Sequence, residues 1–204
     1  SSSTGTQTLM VYGAGNDYAG GAITLKQSGG TSFVLNYGTV YNSIISVVGN
    51  AFTVNSWNHL LVVFDGGTTG SDPSLASDYY SRFKIYVDGV LKTPVSVASG
   101  SGYDGIISGA DVSDNIYRIG RASNVHNNYF DGVINQLAIW NSDESANVST
   151  IYNSGSTQDL SLLASSPSHY YEIESSITTI TDKIGSVDLT GYNFTVSSLI
   201  SDVP

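Results

Sequence analysis

The chain has 204 residues, of which 7 are Lys or Arg and 17 are Asp or Glu, which gives a formal net charge of −10. So few cations cannot build the basic stripe that binds phosphate backbones, and we therefore expect no nucleic-acid partner. The sequence has no cysteine, which excludes disulfides, thiolate metal sites and a cysteine nucleophile. No apolar run approaches the length of a membrane-spanning helix, so we also expect no membrane insertion.

The remaining composition favours an all-β protein. The chain contains 22 Gly and 14 Tyr residues, and Ser, Thr, Asn and Val are abundant. Strands favour β-branched and aromatic residues, whereas tight turns favour Gly, Asn and Asp. The helix formers Lys, Glu, Leu and Ala are scarce, so we expect only one short helical element.

The first predicted hairpin lies in residues 22–38. Segments 22–30 and 31–38 each have the pattern of a strand, and the Gly29-Gly30 pair between them indicates a turn. Another β-rich run follows at 39–50, and it ends at a Gly-Asn pair. The sequence therefore predicts antiparallel neighbours in this region.

The second predicted hairpin lies in residues 83–92, with Asp88-Gly89 at its centre. An Asp-Gly pair in a two-residue loop supplies the positive φ angles that a type I′ turn requires. Before it, residues 59–66 form a near-continuous apolar run of strand length. Such a run is typical of a strand that is covered on both faces.

Two further strands and a turn are predicted towards the C-terminus. Residues 115–122 read as a strand, and residues 130–141 read as a long strand that includes Trp140. The segment from His169 onwards again reads as strands, with a turn at residues 183–186.

One segment predicts a short helix near residues 143–153. Its acidic residues fall where they would favour the helix dipole, and an apolar spacing of i, i+3, i+4 would give it one face to bury. The predicted N-cap is Ser142 or Asp143, the buried face is Val148, Ile151 and Tyr152, and the residue after the helix is Gly155.

The order of these motifs carries a family resemblance. WNHLLVVFDG, FKIYVDGVLK, YRIGRA and FDGVINQLAIWN follow one another, and a short helical segment then ends in IYNSG. This series, from Trp57 to Gly155, resembles the laminin-G-like, concanavalin-A-like lectin/glucanase jelly-roll superfamily. The resemblance implies an antiparallel two-sheet β-sandwich of jelly-roll topology, with residues 1–204 forming a single domain.

The C-terminal segment carries a second resemblance. Thr181-Asp182, Gly185, Leu189-Thr190 and residues 199–204 form a pattern similar to that of laminin-G-like modules in structural proteins of marine bacteriophages. The pattern implies a virion origin.

The chain departs from the family pattern in two places. Family members usually open with one or two further strands, so we expect the opening strands to be missing here. An unfilled sheet edge invites association, which predicts a homo-oligomer or contacts with other virion proteins. In addition, Asn135-Gln136 stands where the family usually has two carboxylates, which weakens any ion site built on them.

Calcium is the candidate cofactor, since some members of the superfamily bind it through loop oxygens. Calcium takes six to eight oxygen ligands. The corresponding loop is rich in oxygen, and the candidate ligands are Asn124, Asn128 and Asp131, with Asn127 beside them. The alternative is that these are turn residues bonded locally to the backbone.

Glycan binding is the candidate activity, because sugar sites pair an aromatic face with polar side chains. The candidate ligand-binding residues are Tyr103, Asp104, His126, Asn127 and Tyr129, and Tyr79 and Tyr80 are further loop aromatics. The alternative for each tyrosine is a structural role on a sheet face.

Catalysis is not expected. Glycoside hydrolysis needs two placed carboxyl groups, and the nearest pair is Glu172 and Glu174, which strand alternation puts on one face. No third acid follows them as in related glucanases, and a solvent-facing polar rim is the simpler interpretation. His59 is expected to be a hydrogen bonder at the edge of the core, whereas His126 and His169 are expected to be solvated.

These observations favour a non-enzymatic module on a virion surface, either capsid or tail, that contacts host surface glycans. The alternative is a secreted bacterial carbohydrate-binding module, again with calcium as its candidate cofactor. A stand-alone glycan-cleaving enzyme is the third and least favoured hypothesis.

Overall fold

The computed structural model describes residues 5–13, 22–38, 43–64, 83–93, 117–121, 129–173 and 178–192. These residues contain twelve strands and one short α-helix. The strands are β1(Gln7–Gly13), β2(Ala22–Ser28), β3(Ser32–Gly38), β4(Ser43–Val48), β5(Leu60–Phe64), β6(Phe83–Val87), β7(Val90–Lys92), β8(Tyr117–Ile119), β9(Gln136–Ile139), β10(His169–Glu172), β11(Thr179–Ile180) and β12(Leu189–Thr190). The helix is α1(Val148–Tyr152).

The chain divides into two compact units, residues 1–132 and residues 133–204, which are called the N-terminal and C-terminal units below. The N-terminal unit holds a five-stranded sheet in the order β4-β3-β2-β1-β8 and a three-stranded sheet in the order β5-β6-β7. Each pair of neighbouring strands in these sheets is antiparallel. The predicted all-β, antiparallel architecture is confirmed.

Both predicted hairpins of the N-terminal unit are present. Strands β2 and β3 pair up to Ser28 and Ser32, and Gly29 and Gly30 in the loop have φ angles of +58° and +79°. In the second hairpin, Val87 pairs with Val90. Asp88 and Gly89 have φ angles of +51° and +75°, as a type I′ turn requires.

The two sheets of the N-terminal unit pack face to face over one apolar core. The three-stranded sheet contributes residues of β6, and the five-stranded sheet contributes residues of β3 and β4, as expected for alternating inward-facing positions. This packing makes the unit a β-sandwich. The buried cluster consists of Phe33, Leu35, Val48, Ala51, Phe83, Ile85 and Val87.

Strand β5 confirms the expectation drawn from its apolar run. Leu60 and Val62 pack against the core cluster. Leu61 and Val63, which alternation places on the opposite face, are buried as well. The strand is therefore covered on both faces, which explains why its sequence does not alternate between apolar and polar residues.

The C-terminal unit holds two small antiparallel sheets, β9-β10 and β11-β12. The predicted long strand over 130–141 is wrong in extent, since the strand is only Gln136–Ile139. Its ladder with β10 runs from Gln136↔Glu172 to His169↔Ile139. Residues 130–132 belong to the N-terminal unit, where the Phe130 N–H bonds to the Gly120 carbonyl. They therefore do not continue the ladder between β9 and β10.

The predicted helix is present but shorter than the sequence suggested. Single 3-10 turns at Ser145–Asn147 and Asn153–Gly155 flank α1. Val148 and Ile151 are buried, as predicted. The α-helix ends at Tyr152 because Asn153 adopts the left-handed conformation, two residues earlier than Gly155. No helix among the described residues is long and apolar enough to cross a membrane.

Candidate functional site

Residues 129–132 form a surface segment that is docked on the five-stranded sheet. The Phe130 N–H donates to the carbonyl of Gly120, just after β8, at 2.8 Å. The Asp131 N–H donates to Oε1 of Gln7, the first residue of β1, at 2.9 Å. These two bonds fix the backbone of the segment, which we call the Tyr129 surface.

The Tyr129 surface presents an aromatic ring beside a carboxylate. Tyr129 is 52% exposed, and Asp131 is exposed as well. Among the described residues, none donates a hydrogen bond to the Asp131 carboxylate. The ring of Phe130 folds back over Gly132, where a Cβ atom would lie 2.5 Å from Phe130 Cζ. A glycine at 132 therefore lets Phe130 fold against the backbone while its neighbours face solvent.

Tyr129 and Asp131 are the two predicted site residues that the structure describes. Asn124, His126, Asn127 and Asn128 lie outside the described residues, as do Tyr103 and Asp104 and the further aromatics Tyr79 and Tyr80. Their predicted roles stay predictions.

The described residues supply only part of a calcium site. Asp131 offers one free carboxylate at the predicted position, whereas calcium takes six to eight oxygen ligands. Within the described ranges, no group of three or more His, Cys, Asp or Glu side chains is arranged to hold a metal ion.

The carboxylate considered for catalysis, Glu172, is engaged by its neighbours. Tyr170 Oη donates to Glu172 Oε1 at 2.7 Å, and Lys183 Nζ forms an ion pair with Glu172 Oε2. Burial and the nearby Glu172 raise the pKa of Tyr170, so its phenol stays protonated and keeps donating. Glu174 lies outside the described residues.

Gln136, which with Asn135 stands where the family usually has two carboxylates, bonds to the same group of residues as Glu172. Its Nε2 donates to Tyr170 Oη at 2.8 Å and to the carbonyl of Gln158 at 3.2 Å. A carboxylate at position 136 would have no proton to donate and would add charge near Glu172. An amide therefore suits this position, a role that the family pattern alone did not indicate.

Asp182 is a buried carboxylate that holds a loop together. It accepts hydrogen bonds from the backbone of Tyr170 at 3.1 Å and of Gly185 at 2.9 Å. Its Oδ2 lies 2.6 Å from Nδ1 of His169, which must carry the proton because an ionised carboxylate only accepts. The expectation that His169 is solvated is wrong, since its side chain is only 27% exposed and is paired.

The backbone of His59 joins the β6–β7 turn to the residue before β5. Its backbone N–H donates to Asp88 Oδ1 at 2.8 Å, and the Asp88 N–H donates back to the His59 carbonyl at 2.9 Å. Burial lowers the pKa of His59, although the charge of Asp88 opposes that effect. The imidazole is therefore mostly neutral at pH 7, and it is the His59 backbone that fastens the β6–β7 turn to the residue before β5.

The comparisons with known proteins agree with this architecture. A laminin G family model, described as the concanavalin A-like lectin/glucanases superfamily, matches residues 1–147. No curated protein and no solved structure matches the chain significantly. A superfamily of lectins and glucanases fits carbohydrate binding in general. The chain belongs to the concanavalin A-like lectin/glucanase superfamily.

Proposed function

We propose that the chain is a non-enzymatic carbohydrate-binding module and that the Tyr129 surface contacts the glycan. The observation that carries the proposal is a half-exposed aromatic ring two residues from a free carboxylate. The ring offers an apolar face to the C–H face of a sugar, and the carboxylate accepts hydrogen bonds from sugar hydroxyls. The docked backbone limits the entropy lost on binding.

Two further observations support a binding role over a catalytic one. Glu172 is tied to Tyr170 and Lys183, so it is poorly placed to exchange protons with a substrate. His59 is partly buried and mostly neutral at pH 7, and its backbone is bonded to Asp88. Neither group has the free geometry that general acid–base catalysis requires.

We expect Tyr129→Ala to weaken glycan binding about tenfold, because the variant removes the stacking face. A glycan array would identify the sugar, and isothermal titration with that sugar would then give the dissociation constants. The matched control is Tyr192→Ala in the C-terminal unit, where Tyr192 is 72% exposed. Equal losses in both variants, or no loss in Tyr129→Ala, would contradict the assignment of the binding surface.

Calcium is proposed as a ligand that Asp131 helps to hold. We expect saturating Ca²⁺ to raise Tm by about 5 °C, because a ligand that binds only the folded state stabilises it. EDTA should reverse the rise, and Asp131→Asn should abolish it, since the carboxylate charge is lost. A melting curve that is the same with Ca²⁺ and with EDTA would end the calcium proposal.

We further propose that the module is displayed on a virion, with other virion proteins or copies of itself as partners. The support is the acidic, cysteine-free composition and the C-terminal pattern around Asp182 and Gly185. Peptide mapping of native particles should find the chain in virions. Recovery of the chain as a free secreted protein would instead favour the alternative, a secreted bacterial carbohydrate-binding module.

A further inference from the structure

Two tyrosines lie opposite each other in the ladder between β1 and β8. Tyr12 and Tyr117 are directly paired in this antiparallel ladder, so their side chains lie on the same face of the five-stranded sheet. Tyr12 also pairs with Ile23, which packs against the core cluster, so that face is the core side of the sheet. Both tyrosines are nevertheless partly exposed. The glycan contact proposed above uses neither of them.

The rings of these two tyrosines are stacked. Their centroids are 4.4 Å apart and their planes differ by 23°, which places the rings in van der Waals contact. A hydrogen bond also joins the two phenols. Because the hydroxyl groups meet, the ortho carbons beside them lie at the same end of the stack. We call this arrangement the Tyr12–Tyr117 pair.

The phenol of Tyr117 keeps its proton at neutral pH. Burial, together with the adjacent Tyr12 phenol, raises the pKa of Tyr117 above its ordinary value. Tyr117 is therefore not a phenolate that would act as a nucleophile or as a metal ligand. The chemistry open to it is that of a neutral phenol, which forms a tyrosyl radical when it loses one electron and one proton. Part of the unpaired electron density of such a radical lies on the ortho carbons.

We propose that the Tyr12–Tyr117 pair is a modification site, at which a one-electron oxidant cross-links the two residues into dityrosine. Each phenol gives up one electron and one proton, and two equivalents of the oxidant take one electron each. The two radicals then form one carbon–carbon bond between their ortho carbons. The hydrogen on each of these carbons moves to the oxygen, so both hydroxyls are restored and two hydrogen atoms are lost in all. The stack holds the reacting carbons together, which makes this coupling intramolecular.

The cross-link would fasten β8 to β1, where the five-stranded sheet is held least. Among the described residues, the β1–β8 ladder has three residue pairs, fewer than any other ladder of that sheet. The chain has no cysteine, so a disulfide cannot strengthen this pairing. A bond that closes a loop of about 100 residues restricts the unfolded chain and so stabilises the folded one, by the reasoning that applies to a disulfide.

The test illuminates the 204-residue chain with tris(bipyridine)ruthenium and persulfate, a small one-electron photo-oxidant, in dilute solution. We expect the blue fluorescence of dityrosine in the monomeric product. Peptide mapping should find the peptides of Tyr12 and Tyr117 joined, with a mass lower by two hydrogen atoms. Tyr12→Phe and Tyr117→Phe keep the ring but lack the phenol, so each should abolish this joined peptide. Tyr192→Phe, the matched control at a tyrosine that is 72% exposed, should leave its yield unchanged.

A comparison with the unfolded chain shows whether the stacked geometry is responsible. In concentrated urea the two residues are far apart in the chain, so the yield of the joined peptide should fall at least about tenfold. An equal yield in urea would overturn the proposal. Dityrosine that forms only between molecules, or that joins other tyrosines instead, would overturn it as well. These results are independent of glycan binding, which the Tyr129→Ala titration tests separately.

A melting experiment tests whether the cross-link fastens the two strands. We expect the purified cross-linked chain to have a Tm about 10 °C above that of the untreated chain, because the closed loop lowers the entropy of the unfolded state. Tyr12→Phe treated with the same oxidant is the control for other oxidative changes, and its Tm should not rise. A Tm that is unchanged or lower in the cross-linked chain would refute the fastening of β8 to β1.

Discussion

Asp182→Ala is expected to lower the free energy of unfolding of the C-terminal unit by about 3 kcal/mol, the largest effect of any single substitution considered. The Asp182 side chain is fully buried, and it accepts hydrogen bonds from several donors that would otherwise need water. Its Oδ1 accepts from the backbone N–H groups of Tyr170, Ile184 and Gly185, and its Oδ2 accepts from His169 and from the Val187 N–H. Removing the carboxylate leaves five donors, one of them the buried Tyr170 N–H, without this acceptor.

The same carboxylate should make the C-terminal unit sensitive to acid. Burial alone would raise the pKa of Asp182, but the hydrogen bonds from His169 and from the backbone outweigh burial and lower it. A group with a lowered pKa in the folded state stabilises the protein above its unfolded pKa, which is about 4 for Asp. That contribution is lost as the pH falls below about 4, because the unfolded state then binds more protons.

Urea unfolding at pH 7 and at pH 3 would measure both effects. Asp182→Ala should lose stability at pH 7 and should also show a shallower acid dependence than the wild type. Asp188→Ala is the control, since the more exposed Asp188 accepts a single bond, from the Asp182 N–H at 2.9 Å. A loss in Asp182→Ala no larger than in Asp188→Ala would mean that the loop does not depend on the buried carboxylate.

Gly185 shows why this loop has a recognisable sequence pattern. A Cβ atom at this position would lie 2.5 Å from His169 Nδ1 and would also collide with Asp182 Oδ2. Asp182 and Gly185 are therefore required together by the packing of one loop. The similarity of this segment to other modules thus has a structural explanation, which by itself does not specify a ligand.

Local signals in the sequence predicted the elements that depend on local geometry. The Asp88-Gly89 and Gly29-Gly30 turns need positive φ angles, which those residues provide, so both hairpins could be predicted from a few neighbours. The same holds for the apolar run of β5. The docking of residues 130 and 131 depends instead on distant partners, since the Asp131 N–H bonds to Gln7, 124 positions away in the chain. No local pattern contains that information.

The roles of the polar side chains were the least predictable, because each depends on a partner distant in the chain. From the sequence alone, Glu172 could be a catalytic acid, but the structure shows that it forms an ion pair with Lys183. From the sequence alone, Gln136 could be a weak ion ligand, but the structure shows that its side chain donates a hydrogen bond to Tyr170. At the candidate site, the exposure of Tyr129 was consistent with the sequence, whereas the bonds that dock its neighbours on Gly120 and Gln7 join distant parts of the chain, and the sequence does not display them.

Glu144 is the second residue whose replacement should have a large effect. The sequence suggested that the acidic residues of this segment favour the helix dipole, but the helix begins only at Val148, and the side chain of Glu144 is buried and faces three donors. Ser142 Oγ and Ser165 Oγ donate to its Oε1, and Asn147 Nδ2 donates to its Oε2, each at 2.6 Å. Burial would raise the pKa of Glu144, but these hydrogen bonds outweigh burial and lower it.

We expect Glu144→Ala to reduce the free energy of unfolding by about 2 to 3 kcal/mol, because three hydrogen bonds are lost and a cavity is left. Glu144→Gln, which keeps the shape and one oxygen, should cost about 1 kcal/mol. The neighbouring Asp143→Ala is the matched control, since exposed Asp143 accepts from the Ser145 N–H at 2.8 Å and its removal should cost about 1 kcal/mol. Urea unfolding gives all three values. Equal losses in Glu144→Ala and Asp143→Ala would mean that Glu144 acts only at the start of the helix, and that its link to Ser165 contributes nothing to the stability of the C-terminal unit.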